Sequence, residues 1–108
     1  MQITSKNPEQ FLKLFFFKAY NASRVVGMGY MQARDNVTAD QVFECVKPLP
    51  GDSTYHADYV YGRMMKLTAK VDGNTITISD DQPRPDYQSW CRTYPTYAKL
   101  AEAVALDL

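Results

Sequence analysis

The residues of this chain that could support hydrolysis lie close together, between positions 52 and 58. His56 is the single histidine of the sequence, with Asp52, Ser53 and Asp58 beside it. A carboxylate that orients a histidine, which in turn activates a hydroxyl, is the arrangement used in acyl transfer. Such sites are assembled in space, however, and four polar residues in one segment are also ordinary loop composition. A small hydrolase built on His56 is therefore the least favoured of three possible functions, after a protein that binds another protein and a protein that binds a nucleotide.

Metal and cofactor chemistry finds little support in the sequence. One histidine and two distant cysteines cannot form a structural zinc site. The segment Gly27-Met28-Gly29 lacks the third glycine and the preceding strand of a dinucleotide-binding motif. We expect no metal, no cofactor, no catalytic residues and a non-enzymatic protein. The acidic residues that could hold magnesium stand in a proline-containing segment typical of a solvated loop: Asp80, Asp81 and Asp86.

Composition limits the class of protein. The chain has 108 residues, of which 45% are hydrophobic and 22% charged, so we expect a single globular domain over 1–108. Twelve basic residues balance twelve acidic ones. Because general nucleic-acid binding needs a basic surplus that releases counterions, we expect none here. A net charge of zero leaves self-association unopposed, which makes a homodimer a candidate.

The sequence carries no targeting signal and no apolar run of transmembrane length. We therefore expect a cytoplasmic protein with no membrane association. In that compartment Cys45 and Cys91 are expected to remain reduced thiols.

Aromatic residues point to recognition instead of catalysis. The chain has eight tyrosines, and tyrosine offers a large, rigid, amphipathic contact surface. At 100° per residue, Lys13, Phe17, Tyr20 and Arg24 share the face of the first helix that lies opposite its apolar stripe. Aromatic and basic groups on a solvated face can hold a base or a partner's side chains. The alternative is a helix that is buried on nearly all sides.

A second candidate surface is the segment 59–63, which places Tyr59, Tyr61 and Arg63 on a predicted strand, with Lys66 further along. Aromatic and basic groups on an open sheet face recur in nucleotide binding. The alternative is an aromatic strand packed into its own core. A third candidate is centred on Arg84, and it combines residue types that are enriched in interface hot spots: Arg84, Tyr87, Trp90, Arg92 and Tyr94.

Helical elements must position the first surface. Asn7-Pro8-Glu9-Gln10 predicts a helix start, followed by apolar residues at Phe11, Phe15, Ala19, Ala22 and Val26, with the helix ending near Gly27 or continuing to Arg34. Thr38-Ala39-Asp40-Gln41 predicts a second helix with a capping box, which Pro48 ends. Thr96 predicts the start of a last helix, with Leu100, Ala101 and Val104 on its buried side.

The second half of the chain predicts strands. Met65, Leu67, Ala69 and Val71 alternate with outward Met64, Lys66, Thr68 and Lys70, and a hairpin returns through Thr75–Ile78. Both Asp72-Gly73 and Gly73-Asn74 satisfy a two-residue turn, and a third strand is expected near Tyr55–Tyr61 or across a dimer. The sequence therefore predicts an α+β fold: a small antiparallel sheet containing a central β-hairpin, with about three helices packed on it.

The segments 19–30 and 86–91 (Asp-Tyr-Gln-Ser-Trp-Cys) carry no motif that assigns a function. In size, compactness and aromatic content the chain resembles the small accessory proteins of bacteriophages and prophages. That resemblance implies a bacterial cytosol and a host protein as partner, such as a component of antiviral defence that is inhibited by protein contact. The alternative is a protein that sequesters a small nucleotide signal, with Arg and Lys on phosphate and Tyr stacked on the base.

Overall fold

The computed structural model describes residues 1–25, 36–79, 91 and 93–108. Gly27, Arg84 and Trp90, with the predictions made on them, lie outside the described residues. The described elements are, in chain order, β1 (Gln2–Thr4), α1 (Pro8–Ala22), β2 (Arg24–Val25), α2 (Ala39–Val46), β3 (Thr54–Val60), β4 (Arg63–Asp72), β5 (Thr75–Ser79) and α3 (Tyr97–Leu106).

The described strands form one antiparallel sheet, and β4 is its central strand. One edge of β4 pairs with β3. The other edge pairs with β2 at Arg63 and Met64 and with β5 from Thr68 onward, and β1 continues the sheet beyond β5. The predicted α+β class is confirmed, with five strands and three helices in the described part of the chain.

The predicted helix starts are confirmed, and each has a side-chain cap. The Asn7 side chain accepts the Gln10 N–H at the start of α1, and the Thr96 side chain accepts the Lys99 N–H at the start of α3. At α2, Thr38 and Gln41 form the complete capping box. These bonds satisfy amide donors that have no partner within the helix, which fixes where each helix begins.

The predicted end of α1 is wrong. The helix stops at Ala22 instead of reaching Gly27, and Ser23 caps it in an extended conformation. The buried Ser23 hydroxyl donates to the Tyr20 carbonyl over 2.7 Å, competing with continuation of the helix. The chain therefore turns early enough for Arg24 and Val25 to pair with β4 as a short strand that was not predicted.

The hairpin of β4 and β5 is confirmed, and its register follows the second of the two predicted turns. Asp72 pairs with Thr75, which leaves Gly73 and Asn74 as the turn and sets Ala69 opposite Ile78. Alternation along β4 buries Met65, Leu67 and Ala69 as predicted, and Val71 is partly buried. The third predicted strand is confirmed as β3. Strand β1 was not predicted, because three residues are too few for an alternating pattern to indicate a strand.

Among the described residues, one apolar cluster lies between the helices and the inward face of the sheet. Its largest fully buried side chains include Phe15 and Phe16 of α1, Met65 and Leu67 of β4, and Leu100 of α3. Phe15 meets Phe16 edge to face, with ring centres 5.8 Å apart, a favoured aromatic geometry. The Tyr97 hydroxyl also ties α3 to β4 by donating to the Lys66 carbonyl over 3.2 Å. The opposite face of β4 carries Met64, Lys66, Thr68 and Lys70.

Candidate binding surface on the open face of the sheet

The corner where α1, β2 and β4 meet is held together by Arg63. Its Nη1 donates to the Ser23 carbonyl over 3.1 Å, and its guanidinium lies over the Tyr20 ring, 5.0 Å from the ring centre. The cation–π contact and the hydrogen bond fix the end of α1 against the start of β4. Tyr20 and Arg63, which were assigned to two different predicted surfaces, therefore contact each other.

The strand pairing at this corner sets three side chains side by side. Arg24 pairs with Met64 on one edge of β4, and Tyr59 pairs with Met64 on the other. Directly paired residues of an antiparallel sheet have side chains on the same face, with Cβ atoms about 4.5–5.5 Å apart. We call these three residues the cross-strand row. It lies on the outward face, since the next residue of β4, Met65, is fully buried on the inward face.

The cross-strand row is accessible. Arg24 is exposed, Met64 is partly buried, and Tyr59 is 37% exposed. Val25, beside it on the other face of β2, is 52% exposed. Arginine, methionine and tyrosine are the residue types that protein interfaces favour, whereas most other charged residues are depleted there.

The turn that ends β3 has an unusual backbone. Val60 pairs with Arg63, so Tyr61 and Gly62 form a two-residue turn, and both have positive φ, 47° and 79°. Tyrosine is disfavoured in the left-handed region, which glycine and asparagine adopt readily. The predicted continuous strand over 59–63 is therefore wrong, because Tyr61 lies in a turn and separates Tyr59 from Arg63.

The predicted helix surface does not form as expected. Tyr20 is only 2% exposed, so its predicted place on a solvated face is wrong. Arg24 lies on β2 and not on the helix. Phe17 is partly buried against the core, and Lys13 forms an ion pair with Asp40 of α2. The predicted solvated face of α1 is partly covered because α2 and α3 both pack against α1.

Of the predicted binding residues, Arg24 and Tyr59 reach the cross-strand row, Tyr20 and Arg63 support it, and Tyr61 lies in the adjacent turn. Lys13 and Phe17 lie elsewhere on α1, and Arg84 is outside the described residues. Sequence reasoning missed Met64 as a member of this surface and Val25 as part of a strand. The alternation of β4 signalled that Met64 faces outward, whereas nothing local signalled a strand at Val25.

The predicted hydrolytic residues make other contacts. The Nδ1 atom of His56 lies 3.1 Å from the Thr68 hydroxyl on the neighbouring strand. An Asp52 carboxylate oxygen accepts the amides of Ser53 and Thr54, over 2.7 and 3.1 Å. The Asp52 side chain thus stabilises an Asx-type turn, which is a structural role. These contacts do not arrange a carboxylate, an imidazole and a hydroxyl in series.

Two open clefts lie away from the cross-strand row. The larger, of about 410 Å³, lies between α1 and α2, where Lys13 pairs with Asp40 and Lys47 with Glu44. Its charges are thus largely used within the protein. The smaller, of about 190 Å³, includes Lys18, whose pKa is raised by its hydrogen bond to Asp107.

Within the described ranges, no group of three or more His, Cys, Asp or Glu side chains is placed to hold a metal ion. Cys45 is an exposed free thiol and Cys91 a buried one. None of the described helices combines the length and the hydropathy needed to cross a membrane. Comparison with known proteins finds no matching family model, no matching curated protein and no matching solved structure.

Proposed function

We propose that this protein is a small non-enzymatic binding protein that recognises a partner protein through the cross-strand row, Arg24–Met64–Tyr59. The observation that carries the proposal is the pairing of these three residues on adjacent strands of one open sheet face. Strand pairing on both edges of β4 positions the three backbones, which limits the conformational entropy lost on binding. Tyr59 and Met64 supply apolar contact area, and Arg24 supplies charge-assisted hydrogen bonds.

Charge on the same face defines the kind of partner. Lys66 and Lys70 lie at alternate positions of β4 after Met64 and so share the outward face with Arg24, while Asp72 lies on that face at the far end of the strand. A partner with acidic groups around an apolar centre would complement this surface. Basic groups at the rim of such an interface would mainly accelerate association, whereas the buried centre would set the lifetime of the complex.

The biological setting we propose is that of a phage-type inhibitor acting on a host component, such as one used in antiviral defence. This part of the proposal is supported by the resemblance in size and aromatic content. It implies the bacterial cytosol as the compartment and makes bacterial lysate the source in which to seek the partner.

The test compares three immobilised proteins in bacterial lysate, with captured proteins quantified by mass spectrometry. Arg24→Ala combined with Tyr59→Ala should reduce capture of the specific partner by about tenfold or more, equivalent to about 1.4 kcal/mol. Leu49→Ala combined with Lys99→Ala is the matched control, because it removes an exposed apolar and an exposed basic side chain from other parts of the surface. The control should capture the partner as the wild type does.

Thermal melts of all three proteins show whether a loss of capture reflects weaker binding or an unfolded variant. Both double variants should melt within a few degrees of the wild type, since surface changes rarely alter stability by more than about 0.5 kcal/mol. Equal capture by the wild type and the cross-strand variant, or no specific capture by the wild type, would reject the proposal.

A small nucleotide is the second candidate ligand, and the lysines beside the row favour it. Lys66 and Lys70 would contact phosphate while Tyr59 stacks on the base. Native mass spectrometry of the freshly purified protein measures this directly. A bound mass of a nucleotide that disappears in the Tyr59→Ala variant supports the nucleotide, whereas a ligand-free mass, together with unchanged melts in a nucleotide panel, rejects it.

A further inference from the structure

A second group of polar and charged side chains lies on the outward face of the sheet, beyond the cross-strand row. His56 of β3 pairs with Thr68 of β4, and its Nδ1 atom lies 3.1 Å from the Thr68 hydroxyl oxygen. Lys66 and Lys70 stand two positions before and after Thr68 on the same face. The hydrogen bond therefore holds the imidazole beside two lysines, and we call His56, Lys66 and Lys70 the basic band.

The charge of this face depends strongly on His56, which is exposed. The other charged residues of the face and its rim are three cations and two carboxylates: Arg24, Lys66, Lys70, Asp58 and Asp72. The strand β5, Thr75–Ser79, adds no charged residue beside β4. The net charge is thus about +1 with a neutral imidazole and about +2 once the ring is protonated. An imidazole ordinarily takes up its proton between about pH 8 and pH 5.

We propose that the basic band binds carboxylate groups of the partner protein, and that protonation of His56 strengthens the complex as the pH falls. This inference rests on the proposed function, since it assigns the acidic groups of that partner to named residues beside the cross-strand row. The occupant follows from charge complementarity. Each lysine offers an ammonium group, and a protonated imidazole adds a third cation whose ring nitrogens both donate hydrogen bonds.

The test uses a defined probe, an N-acetylated hexa-aspartate peptide, titrated at low ionic strength at about pH 5.5 and about pH 8. Aspartate side chains remain ionised at both pH values, whereas an imidazole changes charge between them. Because His56 is the single histidine of the chain, its ring signals in NMR spectra report on this position directly. We expect the peptide to shift these signals, with a dissociation constant about three- to fivefold lower at the acidic pH.

Three variants assign the effect to its residues. His56→Gln keeps a polar side chain that does not titrate, so its dissociation constants at the two pH values should agree within about twofold. Lys66→Gln combined with Lys70→Gln should weaken binding at both pH values. Lys47→Gln combined with Lys99→Gln is the matched control, since it removes two exposed lysines of the helical side of the protein. The control should bind as the wild type does.

Equal affinity of the wild type at both pH values, an unchanged pH dependence in His56→Gln, or His56 signals that the peptide does not move would each overturn the proposal. Inorganic pyrophosphate that binds where the peptide does not would overturn the assignment to carboxylates. The probe has no apolar side chain, so none of these results depends on Tyr59. A failure of the basic band is therefore distinguished from a failure of the cross-strand row, which lysate capture with Arg24→Ala and Tyr59→Ala decides.

Discussion

Two hairpins share strand β4, and their turns differ in backbone conformation. The β4–β5 hairpin turns through Gly73 and Asn74, and the positive φ of 60° falls on the glycine. The β3–β4 hairpin turns through Tyr61 and Gly62, and there a tyrosine takes a φ of 47°. Each turn has two residues, but the first has one positive φ, on a glycine, whereas the second has two, one of them on a tyrosine.

The comparison shows where this molecule departs from locally favoured structure. The β4–β5 pairing is regular over five residue pairs, and it places Ile76 and Ile78 in the core. The β3–β4 pairing contains a register shift, the strained Tyr61, and an Arg63 Nε that is buried without a hydrogen-bond partner in the described structure. Backbone strain and an unsatisfied buried polar group at one place are the kind of observation that motivates a proposal of function there. The irregular hairpin is also the one that carries Tyr59 and Met64 of the cross-strand row.

The largest expected effect lies in the strand that both hairpins share. Leu67 is fully buried, so Leu67→Ala removes apolar contacts and leaves a cavity, at an expected cost of about 2–5 kcal/mol in the free energy of unfolding. Urea denaturation measures this. Lys70→Ala, an exposed change on the same strand, should cost less than about 0.5 kcal/mol. A loss below about half a kcal/mol for Leu67→Ala would contradict the inward assignment of β4.

The regular turn should depend on glycine for its backbone alone. A Cβ added at Gly73 meets no atom within 4 Å, and the φ is +60°. Gly73→Ala is therefore expected to destabilise the protein by about 1–2 kcal/mol through conformation and not through a clash. Asn74→Ala, whose φ is not positive, is the control and should cost less in the same denaturation experiment. Equal losses at the two positions would argue against this account of the turn.

The irregular turn should show the smallest effect, seen as a difference between two variants. Tyr61→Asn and Tyr61→Ala both remove the ring, which packs against the core, so this loss is shared. Asparagine tolerates positive φ and alanine does not. We expect Tyr61→Asn to be more stable than Tyr61→Ala by roughly 0.5–1 kcal/mol. Indistinguishable midpoints would mean that backbone strain at Tyr61 is negligible.

Local patterns predicted most of the fold. The caps at Asn7, Thr38 and Thr96 and the alternation of β4 depend on residues within a few positions of one another, so they can be recognised without tertiary information. The turn at Tyr61-Gly62 could not be recognised in this way. Tyr61 disfavours the conformation that it adopts, and only contacts with the rest of the protein hold it there.

The sequence by itself determined the α+β class, the helix starts, the inward residues of β4 and the central hairpin, because each depends on the short-range periodicity of helix or strand. Tertiary structure decided the rest. It ended α1 at Ala22, buried Tyr20 beneath Arg63 and joined Arg24 to Met64 and Tyr59 across three strands. Pairing between residues as distant in the chain as Arg24 and Met64 depends on loop closure and on competition for core space, which no local pattern records.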